Sequence, residues 1–436
     1  MSSTLLSVSI ALVAGLLMTR IFKRIHLPSV TAYLIAGVLI GPYCLGALNI
    51  PGLGFNNHEA LSMLALISEV ALAFIAFSIG NEFRLDELKK TGKQALVIGI
   101  FQALVATLFV DLALLALHLM MPDKITAAQA ITLGAIATAT APAATLMVVR
   151  QFKAKGPLTS LLLPIVALDD AVGLIVFAVS FGIAKTMVSG SIDMISIIVN
   201  PLIEIVASLV LGAIMGWVLT QLEKLFNSNT NRLNLTIGAV FLTASLAMLE
   251  FHIGPVHVSF SSLLTCMMLG TVFCNTCSLS HDLMAGADKW TSPLFAVFFV
   301  ISGAELELGV FADWAIVVIG VIYIIARSLG KYTGTLVSAK ATKCSPEICK
   351  YLGITLLPQA GVALGMCSIA ATQWPEQGAL IRNITLFAVL IYELFGPMFT
   401  KMALTAAGEI KPMSDDVKQR RQTKLEDAKS GKHLEK

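Results

Sequence analysis

Apolar runs of about twenty residues recur along nearly the whole chain, divided by short polar stretches, and each is long enough to cross a hydrocarbon core of about 30 Å as a helix. The pattern predicts about thirteen spans, near 4–22, 28–47, 58–80, 94–119, 126–149, 157–185, 194–222, 233–252, 257–278, 291–310, 313–338, 350–372 and 381–404. The expected fold class is therefore all-α: one polytopic membrane domain over 1–408, followed by a polar cytoplasmic tail over 409–436. The first run, Leu5 to Ile21, lacks a basic start and ends among Arg20, Lys23 and Arg24, so it reads as a retained helix and not as a cleaved leader.

Loop charge supports the count. With the N-terminus outside, the inner loops collect Arg20, Lys23, Arg24, Arg84, Lys89, Lys90, Lys93, Arg150, Lys153, Lys155, Lys224, Arg232, Lys289, Lys340, Lys343, Lys350 and Lys401, whereas the outer loops keep Lys124, Lys185 and Arg382. A missing span would scramble this bias downstream of it.

At 56% hydrophobic and 13% charged residues, with a mean hydropathy of +0.83, the composition excludes a soluble domain. The net charge of +3 comes from inner loops and tail, so it points to no nucleic acid. The tail, too short to fold as a nucleotide-binding domain, suits a solvated segment near anionic membrane lipid. Seven scattered cysteines argue against a disulfide framework, and the lone CxxC of Cys274 and Cys277 reads as inert lining.

Span six carries the candidate chemistry. Its middle holds Asp169 and Asp170, where an ionised carboxylate costs about 2.5–3.5 kcal/mol even on a lenient scale and needs a proton, a partner or a bound cation. Burial favours the protonated form of any carboxylate, and scarce water favours cation binding, so one oxygen cluster can hold either. Adjacent residues point about 100° apart on a helix, which predicts that the two aspartates divide the work.

Span five reads ATATAPAATLMVV, with Thr138, Thr140 and Pro142, and span twelve reads GITLLPQAGVALG, with Pro358 and Gln359. Proline at that depth frees carbonyls that protein or a cavity must satisfy. Two such spans, seven apart in an odd count, fall in oppositely oriented halves when spans 2–6 are matched to 9–13, as in transporters built from inverted repeats. Span eleven supplies Arg327 and Lys331 on one helix face. Arg327, the deeper of the two, is expected to pair with the aspartates, and Lys331 to snorkel toward the inner surface. Glu69 and Glu393 are expected in structural hydrogen bonds, with pairing to Lys331 or lining a proton route as the alternatives; Glu305 and Glu307 are expected at the outer edge, and Asp111 has no assigned partner.

With these residues assembled, the chain resembles the second family of monovalent cation:proton antiporters, the sodium/proton exchanger type. The likeness covers nearly all of residues 20–410 and rests on LPSVTAYLIAGVLIGP, EVALAFIAFSIGNEF, TAPAATLMVVRQFKAKGPLTSLLLPIVALDDA and LLPQAGVALG in that order. The resemblance implies a core bundle and a dimerisation bundle, spans five and twelve crossing at the midplane, alternating access, and a homodimer in the cell inner membrane. It further implies that Asp170 binds metal cation or proton in turn, that Asp169 is the first Asp of the pair, that Thr138 and Thr140 are the small polar residues of the crossover, and that Arg327 partners Asp169. Some charge-moving relatives have Lys where this chain has Arg327. Arginine cannot release its proton, so Asp169 itself would carry any second proton.

The implied function is exchange of Na+ or Li+ for H+, with no cofactor beyond the transported ions and no enzymatic activity. Potassium/proton exchange on the same scaffold is the alternative, because selectivity rests on cavity size and rigidity. An intramembrane aspartyl protease needs its aspartates converging from separate helices, and a passive channel has no need of a neutralised acidic pair.

Overall fold

A computed structural model describes the chain apart from residues 1, 25–26, 49, 51–53, 56–60, 62–63, 82–83, 190–199, 250, 254–255, 307, 310–312 and 411–436. Fifteen α-helices run through the described residues: α1 Ser2–Arg24, α2 Ser29–Ile40, α3 Ala65–Asn81, α4 Leu85–Met120, α5 Ala127–Ile136, α6 Pro142–Phe152, α7 Pro157–Ser189, α8 Asn200–Glu223, α9 Asn229–Ala247, α10 Ser262–Thr276, α11 Ser280–Ala304, α12 Trp314–Ala341, α13 Pro346–Thr355, α14 Gly361–Gln373 and α15 Pro375–Ala406. Taking α5 with α6, and α13 with α14, as the halves of spans five and twelve recovers the thirteen expected spans. Seven helices are long and apolar enough to cross a membrane unaided, and the apolar helices at α3, α5, α10 and α14 are shorter. One small departure from an all-helical chain is a two-stranded hairpin, Phe251–Ile253 paired with Val256–Val258, where spans eight and nine were expected to end and begin.

Helix packing divides the spans into two groups. α4, α5, α7, α12, α13, α14 and α15 pack on one another, with α4 along α12 the most extensive pair, while α1, α2, α3, α8, α9, α10 and α11 form the second group. The packing also records the repeat. Exchanging spans 2–6 for 9–13 turns α2 on α11 into α10 on α3, α4 on α7 into α12 on α15, α5 on α7 into α13 on α15, and α4 on α5 into α12 on α13, all of which are observed. Outward faces are apolar at helical spacing: Leu104, Leu108 and Leu112 on α4, and Val206, Val210, Ile214 and Trp217 on α8, are exposed, as a lipid solvent requires.

Both interruptions follow from local sequence. α5 opens with a capping box, Thr126 accepting from Gln129 N at 3.2 Å while Gln129 accepts from Thr126 N at 2.8 Å. It stops at Ile136, and the chain restarts at Pro142, whose fixed φ and missing N–H suit the first position of a helix. In span twelve Pro358 sits inside the gap, removing a donor and biasing Leu357 away from helix.

A contact that the sequence does not advertise ties the end of α15 to the helix bearing the aspartates. Gly408, at φ +76°, adopts the left-handed conformation that glycine tolerates best and turns Glu409 back on the bundle. The buried Glu409 carboxylate accepts from Leu158 N at 2.6 Å, Thr159 N at 2.8 Å and Thr159 Oγ1 at 2.5 Å. An acid from elsewhere in the chain thus satisfies the first amides of α7 and complements its dipole. Replacing it, Glu409→Ala, is expected to cost about 1.5–3 kcal/mol, the range for hydrogen bonds to a charged group, and Glu409→Gln a smaller part of that. Thermal unfolding of the detergent-purified protein checks the order wild type, Gln, Ala.

Candidate functional site

The two interrupted spans meet where their helices stop. Ala141 N donates to Pro358 O at 2.8 Å, so the break of span five (137–141) lies directly against that of span twelve (356–360). Such a crossing leaves several carbonyls without the helical amides that would normally serve them. Side chains take their place. Arg327 donates through Nε to Ala137 O at 3.0 Å, through one terminal nitrogen to Leu357 O at 2.7 Å and through the other to Ala139 O at 2.6 Å. Gln359 Nε2 donates to Ile136 O at 3.0 Å and to the Tyr323 hydroxyl at 2.9 Å. Lys331 Nζ donates to Thr138 O at 2.6 Å.

Asp169 completes this network. Its Oδ2 lies 2.9 Å from Lys331 Nζ and accepts from Thr140 Oγ1 at 2.5 Å, while Gln102 of α4 donates to Oδ1. Lys331 also donates to Thr140 Oγ1 at 3.0 Å. Asp169, Arg327 and Lys331 are all wholly buried. A buried ion pair repays its desolvation only when its remaining polar atoms are satisfied, and here both Asp169 oxygens have partners and the Lys331 ammonium has three acceptors. Asp170 is the contrast. It is 2% exposed, and neither carboxylate oxygen has a hydrogen-bond partner among the described residues. The two neighbours therefore differ in surroundings, one locked in a network and the other without a hydrogen-bond partner among the described residues.

The positions expected to gather do so: Asp169, Thr138, Thr140, Pro142, Pro358, Gln359, Arg327 and Lys331 lie at one crossing, with Asp170 beside it. The roles of the two cations are reversed, however. Lys331 does not snorkel; it is 0% exposed and is the partner of Asp169. Arg327 bonds no carboxylate, because its planar fork spans three carbonyls that a point-charge ammonium could not serve together. Its guanidinium also lies 4.5 Å from the Tyr392 ring. Glu69 is exposed on α3, and neither it nor Glu393 reaches Lys331. Asp111 lies against Gly134 of α5, filling the space a side chain there would take. Glu305 is exposed, as expected, and Glu307 lies outside the described residues.

Sequence reasoning passed over Gln102, Tyr323 and Tyr392. Gln102 did leave a signal, a wholly buried amide in an otherwise apolar run of span four. Cys274 and Cys277 form no disulfide, and no group of three metal-ligating side chains occurs among the described residues. If the Arg327 fork is what holds the crossing, Arg327→Lys should destabilise the protein despite conserving charge. At least one stranded carbonyl, at about 1–3 kcal/mol each, sets the expected loss, read as a lowered unfolding temperature of the purified variant.

Comparison with known proteins places this geometry. The family model described as sodium/hydrogen exchanger, transmembrane, matches residues 8–406. Among characterised relatives, the chain is 27% identical to the Na+/H+ antiporter NhaS4 of Synechocystis, covering 92% of this chain and 96% of that one. It is 24% identical to the high-affinity Na+/H+ antiporter NhaS3 of the same organism, over 85% of this chain and 83% of that protein. The structure of the sodium proton antiporter MjNhaP1 from Methanocaldococcus jannaschii at pH 8 superposes with a TM-score of 0.66 over 92% of this chain and 97% of that one, at 18% identity, so the fold is shared.

Proposed function

The chain belongs to the transmembrane sodium/hydrogen exchanger family and works as an antiporter of Na+ and H+, and we propose that Asp170 and the Asp169–Lys331 pair carry that exchange. One observation carries the assignment: an unpartnered buried carboxylate sits next to a carboxylate already neutralised by lysine, at the meeting point of two broken helices.

A buried carboxylate without a partner holds either a proton or a cation. Na+ arriving from the cytoplasm displaces the proton of Asp170 and draws on the oxygens of Asp169, Thr138 and Thr140 nearby. Engaging Asp169 weakens its bond to Lys331, and lysine, unlike arginine, can then release a proton. Correcting the partner of Asp169 from arginine to lysine therefore changes the source of a second proton, from Asp169 itself to Lys331. One Na+ against two protons moves net charge. Arg327 keeps its proton and its carbonyls throughout and holds the crossing together as the bundle moves.

The same reading extends to the surroundings: an inner-membrane protein with its N-terminus outside and C-terminus in the cytoplasm, as the loop charge supports, working as a homodimer whose core bundle, α4–α7 and α12–α15, shifts against the other spans. The membrane lipid is its solvent, and the monovalent cation and protons are its only cargo.

In proteoliposomes Asp170→Asn should abolish Na+-driven proton flux, and retained flux would refute the assignment. A membrane potential should accelerate exchange by the wild type, whereas Lys331→Gln should leave slower exchange that no longer responds to potential. Potential-dependent exchange in that variant would remove Lys331 as a proton carrier. Running the same assay with K+ separates the two cations.

A further inference from the structure

Spans six and thirteen are counterparts in the repeat, and their sequences register around a glycine. Asp169-Asp170-Ala171-Val172-Gly173 on α7 matches Tyr392-Glu393-Leu394-Phe395-Gly396 on α15. Each glycine packs on a break: a Cβ on Gly173 would lie 2.9 Å from Thr138 Oγ1 in span five, and one on Gly396 would lie 3.0 Å from Pro358 Cα in span twelve. The residues four before the glycines both meet α12, a likeness that the exchange of halves does not itself produce, since it would turn α12 into α4. Asp169 bonds Lys331, and Tyr392 faces Arg327 with its ring while its hydroxyl meets Ser328 Oγ and Ile324 O, each at 2.8 Å. By the glycine register alone, the residues three before each glycine correspond, Asp170 in one half and Glu393 in the other.

Glu393 shares the isolation of Asp170. It is 6% exposed and makes no hydrogen bond or ion pair among the described residues. The charges on the elements packed against α15 are otherwise engaged or remote. Arg327 and Lys331 of α12 serve the crossing and Asp169, Lys340 sits in the last turn of α12, Arg150 of α6 bonds Asp288 at 2.5 Å, and Glu347 and Lys350 belong to the first half of α13; α2, α5 and α14 carry no charged residue, and on α15 itself Arg382 lies three turns before Glu393 and Lys401, over the Phe152 ring, two turns after it. The charge that acts on Glu393 is another carboxylate, Glu305 at the end of α11. A carboxylate buried at this depth, with no cation bonded to it among the described residues, is stable only with a proton or a bound cation.

We propose that Glu393 is a second proton-binding carboxylate of the transport cycle, occupying in the C-terminal repeat the place of Asp170 and taking up protons from the side where Glu305 lies, opposite the cytoplasm. The proposal rests on the exchange reading above and adds to it a station for the returning proton. Under a two-fold in the membrane plane, counterparts face opposite sides, so Asp170 and Glu393 meet the two aqueous phases in turn.

The test is side-resolved exchange by the full-length protein in oriented proteoliposomes, with the pH of each face set separately. Glu393→Gln should raise the proton concentration for half-maximal exchange on the Glu305 side about tenfold, a shift of about one pH unit, and leave the KM for Na+ on the other face unchanged, with Glu393→Asp restoring most of the shift. A profile superimposable on wild type would overturn the proposal. Should Glu393→Gln fail to fold, Glu305→Gln, at an exposed position, should shift the same profile about threefold in the same direction, and no shift overturns the proposal equally. Infrared spectra of the purified protein give a readout independent of transport: a protonated-carboxyl band present in wild type and absent in Glu393→Gln. No such difference overturns the proposal, whereas the difference together with absent Na+-driven flux in wild type overturns the exchange reading instead.

Discussion

Two helices that stop in mid-bilayer leave carbonyl oxygens that lipid cannot satisfy, and the rest of this structure is arranged around answering them. Each unmet group in that medium costs several kcal/mol. Span eleven provides the answer with two cations one turn apart. Arg327 and Lys331 between them reach Ala137, Thr138, Ala139 and Leu357, while Gln359 reaches Ile136. An unbroken α12 passes close to both breaks, and Gly330 and Gly334 let it lie against α4.

That solution creates the next problem, an excess of positive charge, and Asp169 balances it. The balance is specific in its chemistry. The cation bound only to carbonyls is the one that never loses its proton, and the cation bound to the carboxylate is the one that can. A permanent charge thus serves the carbonyls while a titratable one serves the carboxylate. Asp170, turned away by the helical pitch, stays outside the network.

Glu409 shows a related economy at the membrane surface. The first amides of α7 require acceptors, and an acid brought in by the turn at Gly408 provides them. The helix that carries the aspartates is thereby tied at its N-terminus to the end of the helix that carries Glu393.

Much of this was legible before any coordinates. Span count, the two interruptions, the buried aspartates and the pairing of halves all follow from hydropathy, proline and loop charge, because a bilayer imposes length, apolarity and backbone satisfaction on each segment separately. Partner choice was not legible. Depth along the helix ranked Arg327 above Lys331 as the carboxylate's mate, yet the crossing presents three carbonyls in an arc that suits a guanidinium, and the lysine is left to Asp169. Gln102, Tyr392 and Glu409 lie 67, 65 and 251 residues from the groups they serve on α7 and α12. The chain by itself determined which residues must be buried at a cost; only the packing of distant helices decided which of them meet, since side chains pair by direction and reach in space and not by order along the sequence.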